Sequence, residues 1–289
     1  MIADTARNVD CDRLLDEGAG QLRRAGIESP RREARLLLGH ALGVPAGEIA
    51  SGRVAISQQA ADMFSRALLR RCQHEPFAYI TGIREFWSLS FAVSRDVLIP
   101  RPETETLIES ALRKFPSRDA PLRVLDLGTG SGCLLLAFLS ERPNATGVGA
   151  DLSQAALRLA ARNARDLSLA GRATFIQSRW TSGISGRFDV VFANPPYIPA
   201  DEFAGLAPEV AQYEPRLALD GGADGFRAYR EIAAELAKSM APGGLLFVEA
   251  GYGQALEVRN IFSAAKFQHR DTVSDLGGVP RCIAMRVTA

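Results

Sequence analysis

Hydrophobic residues at helical spacing dominate the first quarter of the chain. The segment "CDRLLDEGAGQLRRAG" places three leucines at helical spacing and stops at Gly26. The segment "SPRREARLLLGHALG" predicts a second helix, with Ser29 as its N-cap and Pro30 at its first position. The segment "SQQAADMFSRALLRRC" predicts a third helix, which Ser57 caps. Together these patterns indicate a small all-helical domain over residues 1–78.

The pattern changes to alternation after residue 78. In "REFWSLSFAVS", large apolar residues alternate with others, which predicts a β-hairpin. The segment "IPRPETE" follows, where Pro100 and Pro102 favour an extended chain ahead of another helix. We therefore predict a β-hairpin linker over residues 79–103.

Strands and helices alternate over residues 104–289. The segments "LRVLDL", "ATGVGAD", "ATFIQS", "FDVVFA" and "LLFVEA" predict buried strands. One helix between them is expected to begin after Ser153 and end at Gly171, and another to cover "FRAYREIAAELAKSMAPGG". A final helix and strand pair completes the chain. Such alternation predicts an α/β fold with a doubly wound, mostly parallel sheet.

Composition and charge narrow the function classes. Hydrophobic residues make up 47% of the chain, which is enough for a full core. Lys and Arg total 34 against 33 Asp and Glu, so no large basic field marks nucleic acid as the main partner. The four cysteines form no CxxC pair and the three histidines lie far apart, so we expect no metal site. The first ten residues lack an apolar h-region, which favours a cytoplasmic protein.

A glycine-rich turn follows the first strand of the predicted sheet. Its residues are Asp126, Leu127, Gly128, Thr129, Gly130, Ser131 and Gly132. Glycines permit a tight turn and close approach to a ligand, and the next helix offers free N–H groups. Asp151 ends the next strand, where a carboxylate can accept hydrogen bonds from ribose hydroxyls. Because Cys133 stands at the third glycine position of the dinucleotide pattern GxGxxG, the loop suits S-adenosylmethionine better than NAD.

The tetrapeptide "NPPY" ends the fourth strand of the predicted sheet. In a doubly wound sheet the first and fourth strands flank the ligand crevice, so we expect "NPPY" to face the cofactor. Each proline fixes φ and removes an N–H donor, which leaves rigid carbonyl acceptors around Asn194. The Asn194 side-chain oxygen and the Pro195 carbonyl can accept both hydrogens of a planar NH₂ group, and Tyr197 can cover its flat face. This arrangement predicts catalysis by positioning and electrostatics on an amide or aromatic amine.

Trp180 follows the third strand in "QSRW". Its ring is either an adenine-stacking surface or part of the core. Arg179 stands where many such enzymes carry an acid that holds the adenine amine, which puts that contact in doubt.

The chain resembles the release factor glutamine N5-methyltransferases, the PrmC/HemK family. The resemblance extends over almost the whole chain and rests on these segments: "SPRREARLLLGHALG", "PFAYITGIREFWSLSFAVSRDVLIPRPETETL", "VLDLGTGSGCLLLAF", "NPPYIP", "YEPRLALDGGADGFRAYREI" and "DLGGVPRCIAMR". It implies a class I S-adenosylmethionine-dependent methyltransferase domain at 104–289, with a Rossmann-like seven-stranded sheet. It also implies methylation of the glutamine in the Gly-Gly-Gln motif of class 1 peptide chain release factors, in support of translation termination.

The resemblance assigns roles residue by residue. The cofactor, with S-adenosylhomocysteine as product, is held by Asp126, Gly128, Thr129, Gly130, Ser131, Gly132, Asp151, Trp180 and Asn194. The glutamine amide is held by Asn194, Pro195, Pro196 and Tyr197, of which Asn194, Pro195 and Tyr197 are the catalytic residues. The helical module helps to dock the release factor, and the enzyme is expected to be a monomer without a metal, nucleic acid or membrane partner. Arg179 is the departure from the family pattern.

Three other functions stay open at this point. A ribosomal protein glutamine N5-methyltransferase would use the same amide chemistry. A nucleic-acid adenine N6-methyltransferase shares "NPPY" but should show a basic stripe, which the near-neutral charge does not favour. A non-catalytic binding module leaves both the glycine loop and "NPPY" unexplained.

Overall fold

The structure is a computed structural model that describes residues 10–49 and 55–288. The residues on which the expected lack of a signal peptide depends lie almost wholly outside these ranges. The chain forms two compact units. The helical unit comprises the chain up to Gly82 together with Pro208–Tyr213, and the sheet unit comprises Ile83–Ala207 and the chain from Glu214 onwards.

The helices of the described ranges are, in chain order, α1 (Cys11–Arg24), α2 (Pro30–Leu42), α3 (Ala46–Ile49), α4 (Gln58–Cys72), α5 (Phe77–Thr81), α6 (Glu105–Lys114), α7 (Cys133–Glu141), α8 (Gln154–Asp166), α9 (Pro208–Tyr213), α10 (Arg227–Glu235) and α11 (Ala255–Ala264). Short 3₁₀ turns cover Pro102–Thr104, Ala200–Gly205, Arg216–Ala218 and Leu236–Ser239. The strands are β1 (Ile83–Phe86), β2 (Leu89–Ala92), β3 (Arg123–Leu127), β4 (Thr146–Asp151), β5 (Ala173–Gln177), β6 (Phe188–Ala193), β7 (Met240–Glu249), β8 (Phe267–Ser274) and β9 (Pro280–Val287). None of the helices in this described part of the chain combines the length and apolar character that crossing a bilayer requires.

The helical unit is built from amphipathic helices whose apolar faces form one core. Leu22, Leu37 and Phe64 from α1, α2 and α4 are almost fully buried in it. Ser57 caps α4 as predicted, because its hydroxyl accepts a hydrogen bond from the Ala60 N–H at 3.2 Å. Ser29 and Pro30 take the predicted N-cap and first positions of α2, but Ser29 has φ 49° and its side chain makes no capping bond.

The short helix α9 belongs to the helical unit through a buried arginine. The Arg71 guanidinium donates to Glu33 at 2.8 Å, to Glu209 of α9 at 3.2 Å and to the Glu75 carbonyl at 3.3 Å. Glu209 also lies 3.5 Å from His74. Residues 208–213 therefore complete this unit although they lie far along the chain. The unit runs to Gly82 because α5 extends past residue 78.

The sheet unit contains a seven-stranded sheet in the order β5-β4-β3-β6-β7-β9-β8. The pairs from β5 to β7 are parallel, and β9 is antiparallel to both its neighbours. Its central strands are almost continuously apolar because helices cover both faces. The predicted fold class, a doubly wound and mostly parallel sheet, is confirmed.

Two predicted helix ends and the number of strands after the last helix differ from the structure. The Ser153 cap is confirmed, but α8 ends at Asp166 and not at Gly171, since Ser168 turns left-handed with φ 61°. The helix predicted over residues 226–244 ends at Glu235, and β7 already begins at Met240, which pairs with Phe188. The final helix is followed by two antiparallel strands, β8 and β9, and not by one.

The predicted hairpin is present, and it is fixed to the sheet unit. Strands β1 and β2 pair antiparallel around Trp87 and Ser88, whose φ values of 52° and 57° suit a tight two-residue turn. Buried Asn163 of α8 accepts from the Ala92 N–H at 2.8 Å and donates to the Ala92 carbonyl at 3.0 Å. Asn163 also donates to the Ser131 carbonyl at 2.9 Å, which ties the hairpin to the glycine loop.

Candidate active site

The two sequence motifs meet at the carboxyl edge of the sheet. Strands β3 and β6 are parallel neighbours, with Leu127 opposite Ala193, so the glycine loop and "NPPY" leave the sheet side by side. A cavity of about 450 Å³ lies there. Of the residues expected in the site, those that line it are Gly128, Thr129, Gly130, Ser131, Asp151, Trp180, Asn194 and Pro196, whereas Asp126, Gly132, Pro195 and Tyr197 lie outside the lining.

The glycine loop is held in a left-handed conformation that needs glycine. Gly128 and Gly130 have φ values of 71° and 54°. The N–H groups of Gly128 and Thr129 both donate to the Ala150 carbonyl at 2.9 Å, which anchors the loop to the end of β4. The loop therefore takes this conformation through bonds within the protein.

Asp126 supports the loop from below. Its carboxylate accepts the Thr129 hydroxyl hydrogen at 2.6 Å, while Oδ1 has no hydrogen-bond partner among the described residues. Burial raises the pKa of Asp126 to about 7, and the bond from Thr129 opposes that rise. Asp126 thus holds Thr129 in place and does not itself form the cavity wall.

Asp151 is in the cavity wall at the end of β4. One carboxylate oxygen accepts from the Gly130 N–H at 2.9 Å and the other from the Ser153 N–H at 2.8 Å. Burial raises its pKa, although these backbone bonds favour the charged form. Each carboxylate oxygen has a further acceptor site, so the group can still receive hydrogen bonds from a ligand.

Trp180 both lines the cavity and packs against the core, so the two alternatives for its ring are not exclusive. Its Nε1–H donates to Glu231 of α10 at 2.7 Å, and the Arg179 guanidinium donates to the other Glu231 oxygen at 2.6 Å. Burial favours a higher pKa for Glu231, but the bonds from Trp180 and Arg179 outweigh it and lower the pKa. Glu231 also lines the cavity. It supplies an acid beside Arg179, and the local sequence around "QSRW" gave no sign of it.

Asn194 is oriented by a residue that the sequence did not single out. Its side-chain Nδ2 donates to the Thr104 hydroxyl at 3.3 Å, and both residues line the cavity. Thr104 lies in "RPET", directly before α6. Arg101 in the same segment lines the cavity as well and binds the buried Glu214 carboxylate at 2.5 Å. Because these partners lie far apart in the chain, spacing alone could not have joined them.

The segment after "NPP" is clamped by the stretch "LALDGG". The Ile198 N–H donates to the Leu219 carbonyl at 3.0 Å, and the Gly221 N–H donates to the Ile198 carbonyl at 2.9 Å. A Cβ on Gly221 would lie 2.7 Å from the Tyr197 carbonyl carbon, so only glycine allows this approach. Gln254 donates to the Tyr197 carbonyl at 3.0 Å. The Tyr197 ring packs against the core on one face of the sheet, and burial raises its pKa to about 12.

The described residues offer no set of side chains that could coordinate a metal ion. Among residues 10–49 and 55–288, no group of three or more His, Cys, Asp and Glu side chains is arranged to hold an ion. The cavity instead offers a glycine loop, a fixed carboxylate, an indole ring and an amide, which suit an organic ligand.

Known proteins resemble this chain over most of its length. A family profile described as the PrmC N-terminal domain matches residues 13–82, and one described as a methyltransferase domain matches residues 118–270. The release factor glutamine methyltransferase of Rhodospirillum rubrum is 45% identical over 276 residues, which are 95% of this chain and 84% of that protein. The release factor glutamine methyltransferase of Bradyrhizobium diazoefficiens is 44% identical, and the match covers 93% of this chain and 92% of that protein. The crystal structure of the release-factor-specific protein-(glutamine-N5) methyltransferase of Alicyclobacillus acidocaldarius is 30% identical, covers 69% of this chain and all of that one, and has a TM-score of 0.41.

Proposed function

The chain belongs to the family of the release factor glutamine methyltransferases, and from that premise we propose its reaction, its substrate and the residues that act. It is a protein glutamine methyltransferase. The acceptor is the side-chain amide nitrogen of the glutamine in the Gly-Gly-Gln motif of class 1 peptide chain release factors. The observation that carries this proposal is the junction of the glycine loop and "NPPY" in one cavity, at the paired ends of β3 and β6.

The cavity residues fit S-adenosylmethionine. Asp151 has acceptor sites for the ribose hydroxyls, and the Trp180 ring offers an apolar face to adenine. Gly128 and Gly130 leave room for close approach, and buried Asp126 holds Thr129 of the loop in place. When bound, this cofactor supplies a methyl group on a sulfonium, and S-adenosylhomocysteine is its product.

The amide acceptors of "NPPY" act on the substrate nitrogen. An amide nitrogen is a poor nucleophile because its lone pair is delocalised onto the carbonyl. In our proposal the Asn194 Oδ1 and the Pro195 carbonyl accept the two NH₂ hydrogens, which draws electron density back to the nitrogen and fixes its direction. The prolines keep these acceptors rigid, so the site contributes positioning and electrostatic stabilisation.

Tyr197 receives a different role from the one expected. Because the Tyr197 ring packs on the core, we assign the apolar contact with the amide to Pro196, which lines the cavity. Tyr197 fixes the backbone of the motif through its carbonyl, which accepts from Gln254.

The helical unit is proposed to help dock the release factor. The α4 residues Met63 and Leu69 carry large apolar side chains that are exposed there. Such residues suit a contact with protein. We further propose that the enzyme works as a monomer in the cytoplasm, where translation termination takes place, without nucleic acid as substrate.

The test is methyl transfer to defined substrates. The purified protein is incubated with labelled S-adenosylmethionine and, separately, with a release factor, ribosomal proteins and duplex DNA. Mass spectrometry should place the methyl group on the glutamine of Gly-Gly-Gln. Methylation of a ribosomal protein glutamine or of adenine, with the release factor unmodified, would refute the proposed substrate.

A further inference from the structure

Glu231 lies in the cavity wall and has no part in the proposed reaction. Its carboxylate, on α10, accepts from the Trp180 indole Nε1–H at 2.7 Å and from the Arg179 guanidinium at 2.6 Å. All three residues line the cavity. A carboxylate has about four acceptor sites on its two oxygens, so Glu231 can keep both protein partners and still accept from a ligand.

The loop that carries Trp180 is bonded to α10 at two places. Glu235, about one helical turn after Glu231, accepts from the Thr181 N–H at 2.9 Å. Two glutamates of one helix therefore hold consecutive residues of the loop, Trp180 by its side chain and Thr181 by its backbone. Trp180 has φ 48°, a left-handed conformation that a residue other than glycine seldom adopts. These bonds fix the direction in which the indole ring leaves the loop.

The indole ring lies between α10 and the glycine loop. Its Nε1 end is bonded to Glu231, while Cζ3, in the six-membered ring, would lie 3.9 Å from a Cβ placed on Gly128. Because the N–H bond of an indole lies in the plane of the ring, the Glu231 carboxylate stands at the edge of the ring and not over its face. A flat base that stacks on this ring in the cavity can therefore turn one edge to the carboxylate.

The chemistry of that edge follows from the cofactor. Adenine carries an exocyclic amine, which donates hydrogen bonds, and a charged carboxylate only accepts them. Asp151, at the end of β4, is already the proposed acceptor for the ribose, and Trp180 is the proposed contact for the base. The acceptor bonded to that indole is Glu231, so it is the carboxylate placed for the amine.

We propose that Glu231 is a specificity-determining residue, which accepts a hydrogen bond from the exocyclic amine of the cofactor's adenine. The inference rests on the proposed function, because it takes Asp151 for the ribose and Trp180 for the base. It also gives Arg179 a role: the arginine stands where an acid was expected, and it bonds the acid that α10 supplies instead. One carboxylate thus orients the stacking ring and reads the base that stacks on it.

The test compares two ligands that differ only at the exocyclic amine. They are S-adenosylhomocysteine and its 6-deamino analogue, which carries a hydrogen in place of the amine. Both are titrated into the whole protein by calorimetry. The loss of a hydrogen bond to a charged group weakens binding by roughly 10- to 100-fold, so the Kd of the analogue should be higher by that factor. In Glu231→Ala the two Kd values should lie within about threefold of each other, because the acceptor that distinguishes the ligands is gone.

Glu235→Ala is the matched control, because it shortens a glutamate of the same helix that also holds the loop but lies outside the cavity lining. It should weaken both ligands together and keep the preference for the amine. Glu231→Gln is a second variant of nearly the same shape, whose neutral oxygen makes a weaker bond, so the preference should narrow to below about tenfold. Thermal melting shows whether each variant is folded, and Glu231→Gln decides if Glu231→Ala is not.

Equal Kd values of the two ligands in the starting enzyme would refute the inference, as would an unchanged preference in folded Glu231→Ala or Glu231→Gln. Loss of the preference in Glu235→Ala as well would mean that Glu231 acts only by holding the loop, and the contact with the amine would be refuted. The titrations contain no release factor, so they are independent of the methylated substrate. A release factor left unmodified would refute the proposed substrate, while the two Kd values would still decide the role of Glu231.

Discussion

Asp151→Asn offers a sharp test of the cofactor site because the change removes charge and leaves the shape. The Asp151 carboxylate accepts two backbone N–H groups, from Gly130 at 2.9 Å and Ser153 at 2.8 Å. An asparagine has one oxygen and one NH₂ group, so one of these N–H groups must face another donor. The substitution therefore disturbs the glycine loop if the Gly130 N–H loses its acceptor, or the start of α8 if the Ser153 N–H loses it.

The magnitude follows from these contacts. A hydrogen bond to a charged group contributes about 1.5–3 kcal/mol, and a buried donor without a partner costs about 1–3 kcal/mol. We expect Asp151→Asn to lower the free energy of unfolding by about 1–3 kcal/mol. Binding of S-adenosylmethionine should weaken by a further ~1.5–3 kcal/mol, because the ribose loses a charged acceptor. Asp151→Ala should be at least as damaging, since both N–H groups lose their acceptor.

The assay combines chemical denaturation with calorimetric titration of S-adenosylmethionine. Asp275→Asn is a control outside the cavity lining: Asp275 Oδ1 accepts from the Gly277 and Val279 N–H groups, and its Oδ2 accepts from the Arg281 guanidinium. Its cofactor affinity should be unchanged. Folded Asp151→Asn with the affinity of the starting enzyme would refute the assignment of Asp151 to the cofactor.

Four further outcomes are expected. Asn194→Ala should lower kcat by about 10²–10³-fold, the typical effect of losing one aimed electrostatic contact, and calorimetry should find cofactor binding nearly intact; full activity would refute amide recognition. Trp180→Phe keeps a ring in the cavity but removes the donor to Glu231, so the Kd for the cofactor should rise less than in Trp180→Ala, and equal Kd values would argue against stacking. Leu69→Ser should raise KM for an intact release factor but not for a Gly-Gly-Gln peptide, and equal effects on both would argue against docking by the helical unit. Burial raises the pKa of Asp126 to about 7 in the folded protein, so the folded state binds this proton more strongly than the unfolded state does. The contribution of Asp126 to stability is therefore present at low pH and lost as the pH rises from about 4 to about 7. Denaturation curves of Asp126→Asn should show a smaller loss of unfolding free energy over that range.

Local patterns predicted the parts of the fold that local chemistry decides. The caps at Ser57 and Ser153 form because a hydroxyl reaches an N–H three residues ahead. The apolar runs predicted the central strands, and the rule for doubly wound sheets placed the glycine loop beside "NPPY". These predictions needed no knowledge of distant contacts.

Distant contacts explain what the sequence could not predict. Met240 begins a strand because Phe188 pairs with it, although its own neighbours continue a helical pattern. Thr104 and Glu231 join the site through bonds to Asn194 and Trp180, which lie far along the chain. Tyr197 was expected over the substrate because its place in the motif was known, but its ring direction depends on the core that receives it.

The place of α9 has a consequence for the order in which the molecule can be completed during synthesis. The helical unit includes residues 208–213, so a nascent chain that has reached only Gly82 lacks Glu209. Buried Arg71 then keeps Glu33 but misses its second carboxylate until β6 and "NPPY" have also left the ribosome. The helical unit therefore begins to be translated before the sheet unit but is complete only when the chain has reached Tyr213, and its last helix is made after the motif proposed to read the substrate.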